Sequence, residues 1–441
     1  MSASKYFRHF FTKKKLLDIY DGDIRYKSAR GVDRISNRLF QERVGENVDI
    51  IYRKAHNGSY QFSQYREKLL SRGANRTPRV ISIPTIRDKI TQKAIAQILD
   101  LLFRAQTPFL HKIINDVIAT YRSGLYQSVL RLDVRNFYPL IDHDILLDKV
   151  GKKIRKKELL HLIRNAVSQR TVARPNKKDT RKNDIGVPQG LSISNILANI
   201  YLLDMDDKYS SISTIRYCRY VDDILIFCQL SDVNQMRTEI TADCSHLGLN
   251  LHSIDNPSKS SITDITDGFT YLGYDFNNSN ITVRKKTVDR FRESLIKILT
   301  NYKCSETKNI DFLKWALNLR ITGCVFNESK YGWVFFFSQI DDLSLLGELD
   351  YFVKKQMKRF NITEFKPKTF LKAYHEITKN LSNTTYIPNF DRLEVTEKHK
   401  MLVDIFKYEH PHISQQDIEY EFRRRIYKTV KELERDISRP S

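Results

Sequence analysis

Two short runs rich in β-branched and aromatic residues, IRYCRYV (215–221) and ILIFCQL (224–230), stand on either side of Asp222-Asp223. Such runs suit a pleated surface, and two of them joined by a short polar pair predict a β-hairpin. The chain is thereby committed to carrying two adjacent carboxylates at the tip of an antiparallel ribbon. An Asp-Asp turn is also a common solvated feature. A Tyr or Phe two places before Asp-Asp arises by chance in about one in ten chains of this length. The hairpin gains meaning from what else the chain brings near it.

A third carboxylate comes from LYQSVLRLDVRNFY (125–138), an apolar, β-prone run that predicts a strand carrying Asp133, then a turn at Pro139 and a helix from about Asp142. A strand with one carboxylate beside a hairpin tip with two makes a cluster of hard oxygen donors, to which the carbonyl of Val134 adds a fourth. Joining a nucleotide to a 3′-hydroxyl needs one cation to acidify the attacking oxygen and another to hold the triphosphate, about 3.5–4 Å apart. Magnesium keeps several waters, so a few convergent carboxylates suffice. The reading is two Mg2+ ions, with Mn2+ as the substitute.

Charge agrees with a polyanionic partner. Lys and Arg number 74 against 52 Asp and Glu, a net +22, and such an excess favours nucleic acid through counterion release. The five cysteines form no Cys-x-x-Cys pair, so neither a disulfide framework nor a zinc site is indicated and a reducing cytoplasm is expected. No stretch approaches 18 apolar residues, and MSASKYFRHFFTKKKLL mixes basic with aromatic residues, so no membrane span or secretory leader is expected.

Along the chain, residues 1–70 read as mainly helical. RVISIP (79–84) alternates like a strand, and Thr85 with Asp88 forms a capping box for a helix whose apolar stripe is Ile90, Ala94, Ile98 and Leu101. Between 150 and 184 lies a dense basic stretch. The segment from Ser192 predicts a helix with Ser192 or Ser194 near its cap and Ile196, Ile200 and Leu203 on one face. A basic helix follows residue 285, its core stripe being Val288, Phe291, Leu295 and Ile298.

Several of these segments resemble the motifs of reverse transcriptases, in the order that family uses. YVDDILIF (220–227) is similar to its catalytic hairpin, and GVPQGLSISNILANIYL (186–202) resembles its helix motif nearly residue for residue. RLDVRNFY (131–138) is similar to the first carboxylate motif and RVISIPTIRDKITQKAI (79–95) to the fingers motif. GVDRIS (31–36) resembles the amino-terminal motif of bacterial and non-LTR members, and FTYLGYDF (269–276) the primer-grip hairpin. Together these cover about residues 30–280.

The resemblance implies roles. Asp133, Asp222 and Asp223 are the expected metal ligands. Tyr138 falls where the family places a ring that clashes with a 2′-hydroxyl, which favours deoxynucleotides. Gln189 and Gly190 are expected to position the incoming nucleotide. Arg79 and Arg72 match the basic pair that grips the triphosphate, with Arg76 as the substitute for Arg72. Lys259 stands where the family keeps a lysine that protonates pyrophosphate, although Ser260 follows it where Thr is usual. Tyr271, Leu272 and Gly273 are the expected primer grip.

The implied fold is α+β, a right-hand polymerase with fingers, an antiparallel palm sheet and a helical thumb, plus a helical C-terminal extension. The expected divisions are 1–70 (N-terminal helical region), 71–280 (fingers and palm), 281–345 (thumb) and 346–441 (RNA-binding or oligomer-forming helices). The implied partners are an RNA template, in the form of a structured noncoding RNA, together with deoxynucleotides and a DNA product, in the bacterial cytoplasm. The motif set points to the bacterial branch of retrons, group II intron enzymes and defence-associated enzymes. Template-independent or protein-primed synthesis, and a catalytically dispensable RNA scaffold, stay open at this point.

Overall fold

The computed structural model describes residues 2–27, 29–71, 77–176, 179–257, 259–277, 280–408 and 414–434. Two compact units divide the chain, Met1–Ile262 and Thr263–Ser441, and the class is α+β as expected.

The first unit opens with helices α1 (Ala3–Phe10), α2 (Lys13–Ile19), α3 (Asn37–Gln41) and α4 (Val44–His56), followed by strands β1 (Tyr65–Leu70) and β2 (Arg79–Ile83). β1 pairs antiparallel with β2 and parallel with a short β4 (Thr171–Val172). The long helix α5 (Ile86–Phe103) begins where the capping box placed it, with the Thr85 side chain accepting from the Asp88 amide. Its core face includes Ile90, Ala94 and Ile98, but Leu101 is 46% exposed and Leu99 is buried instead. By the 3.6-residue period Leu101 falls on the same side as Ile90 and Ala94, so its exposure reflects what covers the last turn of the helix rather than the stripe.

Asp88 ties the start of this helix to the fingers strands. It is buried and accepts hydrogen bonds from the Tyr60 hydroxyl, the Ser63 amide and the Thr85 hydroxyl, and burial pushes its carboxyl up to about 6. Gly31 of the GVDRIS segment lies against the same corner, where a Cβ would come within 2.7 Å of the Thr85 backbone. Only a residue without a side chain lets the two backbones approach this closely.

Beyond α6 (Leu110–Arg122), strand β3 (Ser128–Arg135) lies at the centre of a five-stranded sheet with β5 (Arg216–Tyr220), β6 (Asp223–Cys228) and β7 (Asn250–Leu251) in the order β5-β6-β3-β7; the fifth strand, Ser261–Asp264, carries the chain out of the unit. The printed pairings of β3, β5, β6 and β7 are antiparallel. Leu130, Leu132 and Val134 of β3 and Ile224, Ile226 and Cys228 of β6 share the main core. By the two-residue period of a strand, Arg131, Asp133 and Asp223 face the other way.

One helical turn, α7 (Phe137–Leu140), occupies the position of the expected simple turn at Pro139, and α8 (His143–Gly151) follows with Asp142 as its cap. Helix α9 (Lys157–Ser168) accounts for part of the basic stretch, and α10 (Ser194–Ser210) crosses the sheet as the central core helix. Ser194 opens α10 next to its N-cap, Ile193, which makes no side-chain bond. The Ser194 hydroxyl donates to the Pro188 carbonyl 2.6 Å away, which fixes the preceding loop. Helix α11 (Val233–His246) completes the unit.

The second unit holds an antiparallel sheet of Phe269–Tyr271, Tyr274–Asn277 and Asn280–Val283, the helix Lys285–Cys304 with Val288, Phe291, Leu295 and Leu299 buried, and the later helices. Ile298, expected in that stripe, is only half-buried. Arg320 is buried and donates to the Glu432 and Leu433 carbonyls at the end of the helix Gln415–Leu433, and to the Ser294 hydroxyl. The last helix is thereby fastened into the same unit, its terminal carbonyls satisfied by a cation. Among the described residues no helix is long and apolar enough to cross a membrane.

Candidate active site

The carboxylates arrive from adjacent strands. Asp133 on β3 stands directly opposite Asp223 on β6, so their side chains leave the same face of the sheet. Asp222 occupies the two-residue tip with Val221, between the paired Tyr220 and Asp223. Of the two acids expected at the tip, one is there and the other opens the strand behind it. The Asp222 carbonyl accepts from the Val134 amide at 3.1 Å, stitching the tip to β3.

Val221 has φ +59°, a left-handed conformation that is costly for a β-branched residue and that clusters at functional turns. Arg219 supports it. One guanidinium nitrogen donates to the Val221 carbonyl at 2.7 Å and to Asn199 at 3.2 Å, while the guanidinium also grips Asp206 on α10. The core helix thus holds the tip that presents Asp222.

Each carboxylate has a different electrostatic setting. Burial first, and then the negative charge of Asp133, push Asp222 up to about 7, with Asp223 adding to the rise. Asp223 is fully buried and receives two hydrogen bonds from Arg131, at 3.0 and 2.8 Å; burial raises its carboxyl while Arg131 opposes the rise. Asp133 is paired with the Lys259 ammonium at 3.0 Å, and the His252 ring lies 3.4 Å from its other oxygen. His252 also donates its backbone amide to the Asp133 carbonyl, and the Ser260 hydroxyl accepts from the Asp133 amide. Burial pulls His252 below the usual imidazole range.

Three acids share one field, and Asp222 resists ionisation beside its neighbours. Their present partners are protein cations. Among the described residues no group of three or more His, Cys, Asp or Glu side chains is arranged to hold a metal ion, and Lys259 and Arg131 engage Asp133 and Asp223.

The loop before α10 completes the surroundings. Gly186 and Val187 donate their amides to the Ile141 and Tyr138 carbonyls, both at 2.8 Å. The Gln189 carbonyl accepts from the Ser82 amide at 2.7 Å, and its side chain accepts from Arg79. Gly190 has φ +99°, and a Cβ there would come within 2.8 Å of Ile81. The loop is therefore clamped between α7 and β2, which brings Arg79, Gln189, Gly190 and Tyr138 into one neighbourhood. The negative charge of Asp222 is felt at Tyr138, whose phenol burial holds above its usual range.

Arg72 and Arg76 lie outside the described residues. Tyr271, Leu272 and Gly273 belong to the second unit, where they form the turn between two strands, with Tyr271 and Leu272 buried. Arg131, Arg219 and His252 went unread in the sequence. The available signal for Arg131 was its place two residues before Asp133, on the same strand face.

A carboxylate-bearing antiparallel sheet, flanked by an arginine strand and a glycine-hinged loop, defines a nucleic-acid polymerase palm. Residues 70–276 match the family described as reverse transcriptase (RNA-dependent DNA polymerase). It is 22% identical over 292 residues to the protein YkfC of Escherichia coli (strain K12), covering 55% of this chain and 74% of that one. It is 24% identical over 172 residues to the group II intron-encoded protein LtrA of Lactococcus lactis subsp. cremoris, covering 36% of this chain and 28% of that one. Among solved structures, a telomerase from Candida albicans in complex with a fragment of telomeric RNA aligns at 14% identity with a TM-score of 0.44, covering 91% of this chain and 66% of that one.

Proposed function

We propose that the chain copies RNA into DNA, adding deoxynucleotides to a 3′ end at a centre built from Asp133, Asp222 and Asp223. The observation that carries this reading is the register of Asp133 against Asp223 with Asp222 at the adjoining tip. These carboxylates would hold two Mg2+ ions, which when bound supply the charge that acidifies the attacking hydroxyl and steadies the departing pyrophosphate. Lys259 and Arg131 otherwise balance the charge of Asp133 and Asp223.

The other residues act on the substrate. Arg79, fixed by Gln189, meets the triphosphate with charge-assisted hydrogen bonds. The Tyr138 ring lies under the sugar and excludes a 2′-hydroxyl. Lys259, within hydrogen-bond reach of Asp133, is placed to give a proton to pyrophosphate. Tyr271, Leu272 and Gly273 guide the primer.

The template we infer is a dedicated structured noncoding RNA, copied in the bacterial cytoplasm as part of antiphage defence, with the C-terminal helices binding that RNA or a second protein. The bacterial character of the GVDRIS and fingers motifs supports this, as does the net +22 charge. Purifying the protein from its host and sequencing the nucleic acid that accompanies it is the test. One abundant structured RNA with complementary DNA is the expected result. Heterogeneous cellular RNA without complementary DNA contradicts the dedicated template.

A further inference from the structure

Tyr138 is held at both ends. Its carbonyl accepts from the Val187 amide at 2.8 Å, and its phenol hydroxyl donates to the Asn195 Oδ1 at 2.8 Å. Asn195 is the second residue of α10, the helix that also carries Asn199 and Asp206 and so steadies the Asp222 tip through Arg219. Only 6% of Tyr138 is exposed. Asn195 is exposed, on the first turn of the helix that follows the Gln189-Gly190 loop. The ring is therefore wedged among α7, α10 and the loop, and the Asn195 contact is what fixes its outer end.

A ring that rejects a substituent as small as one hydroxyl must keep its position to within a fraction of an ångström, because the discrimination is steric and a ring free to tilt gives the hydroxyl room. Packing holds the inner edge of Tyr138. A hydrogen bond fixes the outer edge in direction as well as distance.

We propose that Asn195 is a positioning residue for sugar selection: by accepting the Tyr138 hydroxyl it sets the ring at the height where a ribose is refused and a deoxyribose admitted. This rests on the reading of Tyr138 as the sugar gate. Asn195 touches no reacting atom in this account, and its effect passes wholly through the phenol.

The test uses the full chain in single-nucleotide extension on an RNA template with a DNA primer, reading the ratio of kcat/KM for a deoxynucleotide to that for the matching ribonucleotide. Asn195→Leu removes the acceptor with little change of shape, and Tyr138→Phe removes the donor while keeping the ring. Each should shift the ratio toward ribonucleotides by about two- to tenfold, the equivalent of one hydrogen bond. The double variant should shift it no further than either alone, since both delete one interaction. Asn195→Asp, which retains an acceptor, should keep the ratio near that of the unaltered protein. Tyr138→Ala should relax selection furthest.

An unchanged ratio in Asn195→Leu and Tyr138→Phe, with Tyr138→Ala relaxed, overturns the role of Asn195 and leaves the gate standing. An unchanged ratio in Tyr138→Ala as well, or an unaltered protein that makes no DNA or accepts both sugars equally, removes the gate and Asn195 with it. Tyr138→Phe alters a single oxygen, so it decides the question alone if Asn195→Leu does not fold.

Discussion

Arg131 and Asp223 meet across neighbouring strands through two hydrogen bonds, at 3.0 and 2.8 Å, with both side chains almost wholly buried. Asp222, one residue before, has no such basic partner on its carboxylate among the described residues and is pushed up to about 7 by burial and by Asp133. Adjacent acids in one motif thus have opposite effects on the metal-free fold. Asp223→Asn breaks a buried charge pair with Arg131 and should destabilise the protein by about 3–5 kcal/mol. Asp222→Asn relieves repulsion and should leave stability equal or higher. Urea denaturation in a chelator, run on both variants, reads the two signs; equal losses would show that the pairing does not separate the two acids.

Gly190 combines φ +99° with a Cβ position 2.8 Å from Ile81 and 3.2 Å from the Ser82 carbonyl. Gly190→Ala should destabilise the chain by about 1–3 kcal/mol and raise KM for the nucleotide, because Gln189 and Arg79 shift with the loop. Gly45 has open space within 4 Å and lies inside α4, so Gly45→Ala should instead gain up to about 1 kcal/mol. Denaturation midpoints compare the pair, and steady-state kinetics check the KM.

The buried carboxyl of Asp88 titrates at about 6 against an ordinary 3.8. The folded state therefore holds this proton more tightly than the unfolded state does. Its contribution to stability is complete below pH about 4 and is lost as the pH rises to about 6. Asp88→Asn removes this dependence. The stability of the unaltered protein relative to the variant should decline between those two values and stay level above them, which denaturant titration at a series of pH values measures. A difference that grows with pH would reverse the assignment.

Much of the first unit was legible because each signal was local. The hairpin, the strand carrying Asp133 and the Thr85 cap each depend on residues within one turn or ribbon. The face of α5 is legible at Ile90, Ala94 and Ile98; Leu101 keeps the helical period but lies 46% exposed in the last turn, which a local pattern does not reveal. Helix α10 is buried on nearly every side, so the face of Ile196, Ile200 and Leu203 is only part of what it buries.

The pairing of the acids was beyond local reading. That Lys259 and His252 both reach Asp133 depends on contacts more than a hundred residues apart in sequence, and no periodicity encodes them. Arg131 looked like one more basic residue among 74 Lys and Arg. Its meaning appears only when β6 is laid beside β3. The Tyr138 hydroxyl meeting Asn195 is of the same kind, since it needs α7 and the start of α10 to be brought together by the Gly186–Gly190 loop.

The central claim is that Asp133, Asp222 and Asp223 form the centre of an RNA-copying DNA polymerase. Its most direct test is deoxynucleotide incorporation on a defined RNA template with a DNA primer and Mg2+, comparing the unaltered protein with Asp222→Asn, with RNA affinity measured on the same preparations. The account expects template-directed DNA from the unaltered protein, none from Asp222→Asn, and equal RNA affinity in both. Incorporation by Asp222→Asn at the unaltered rate would contradict it.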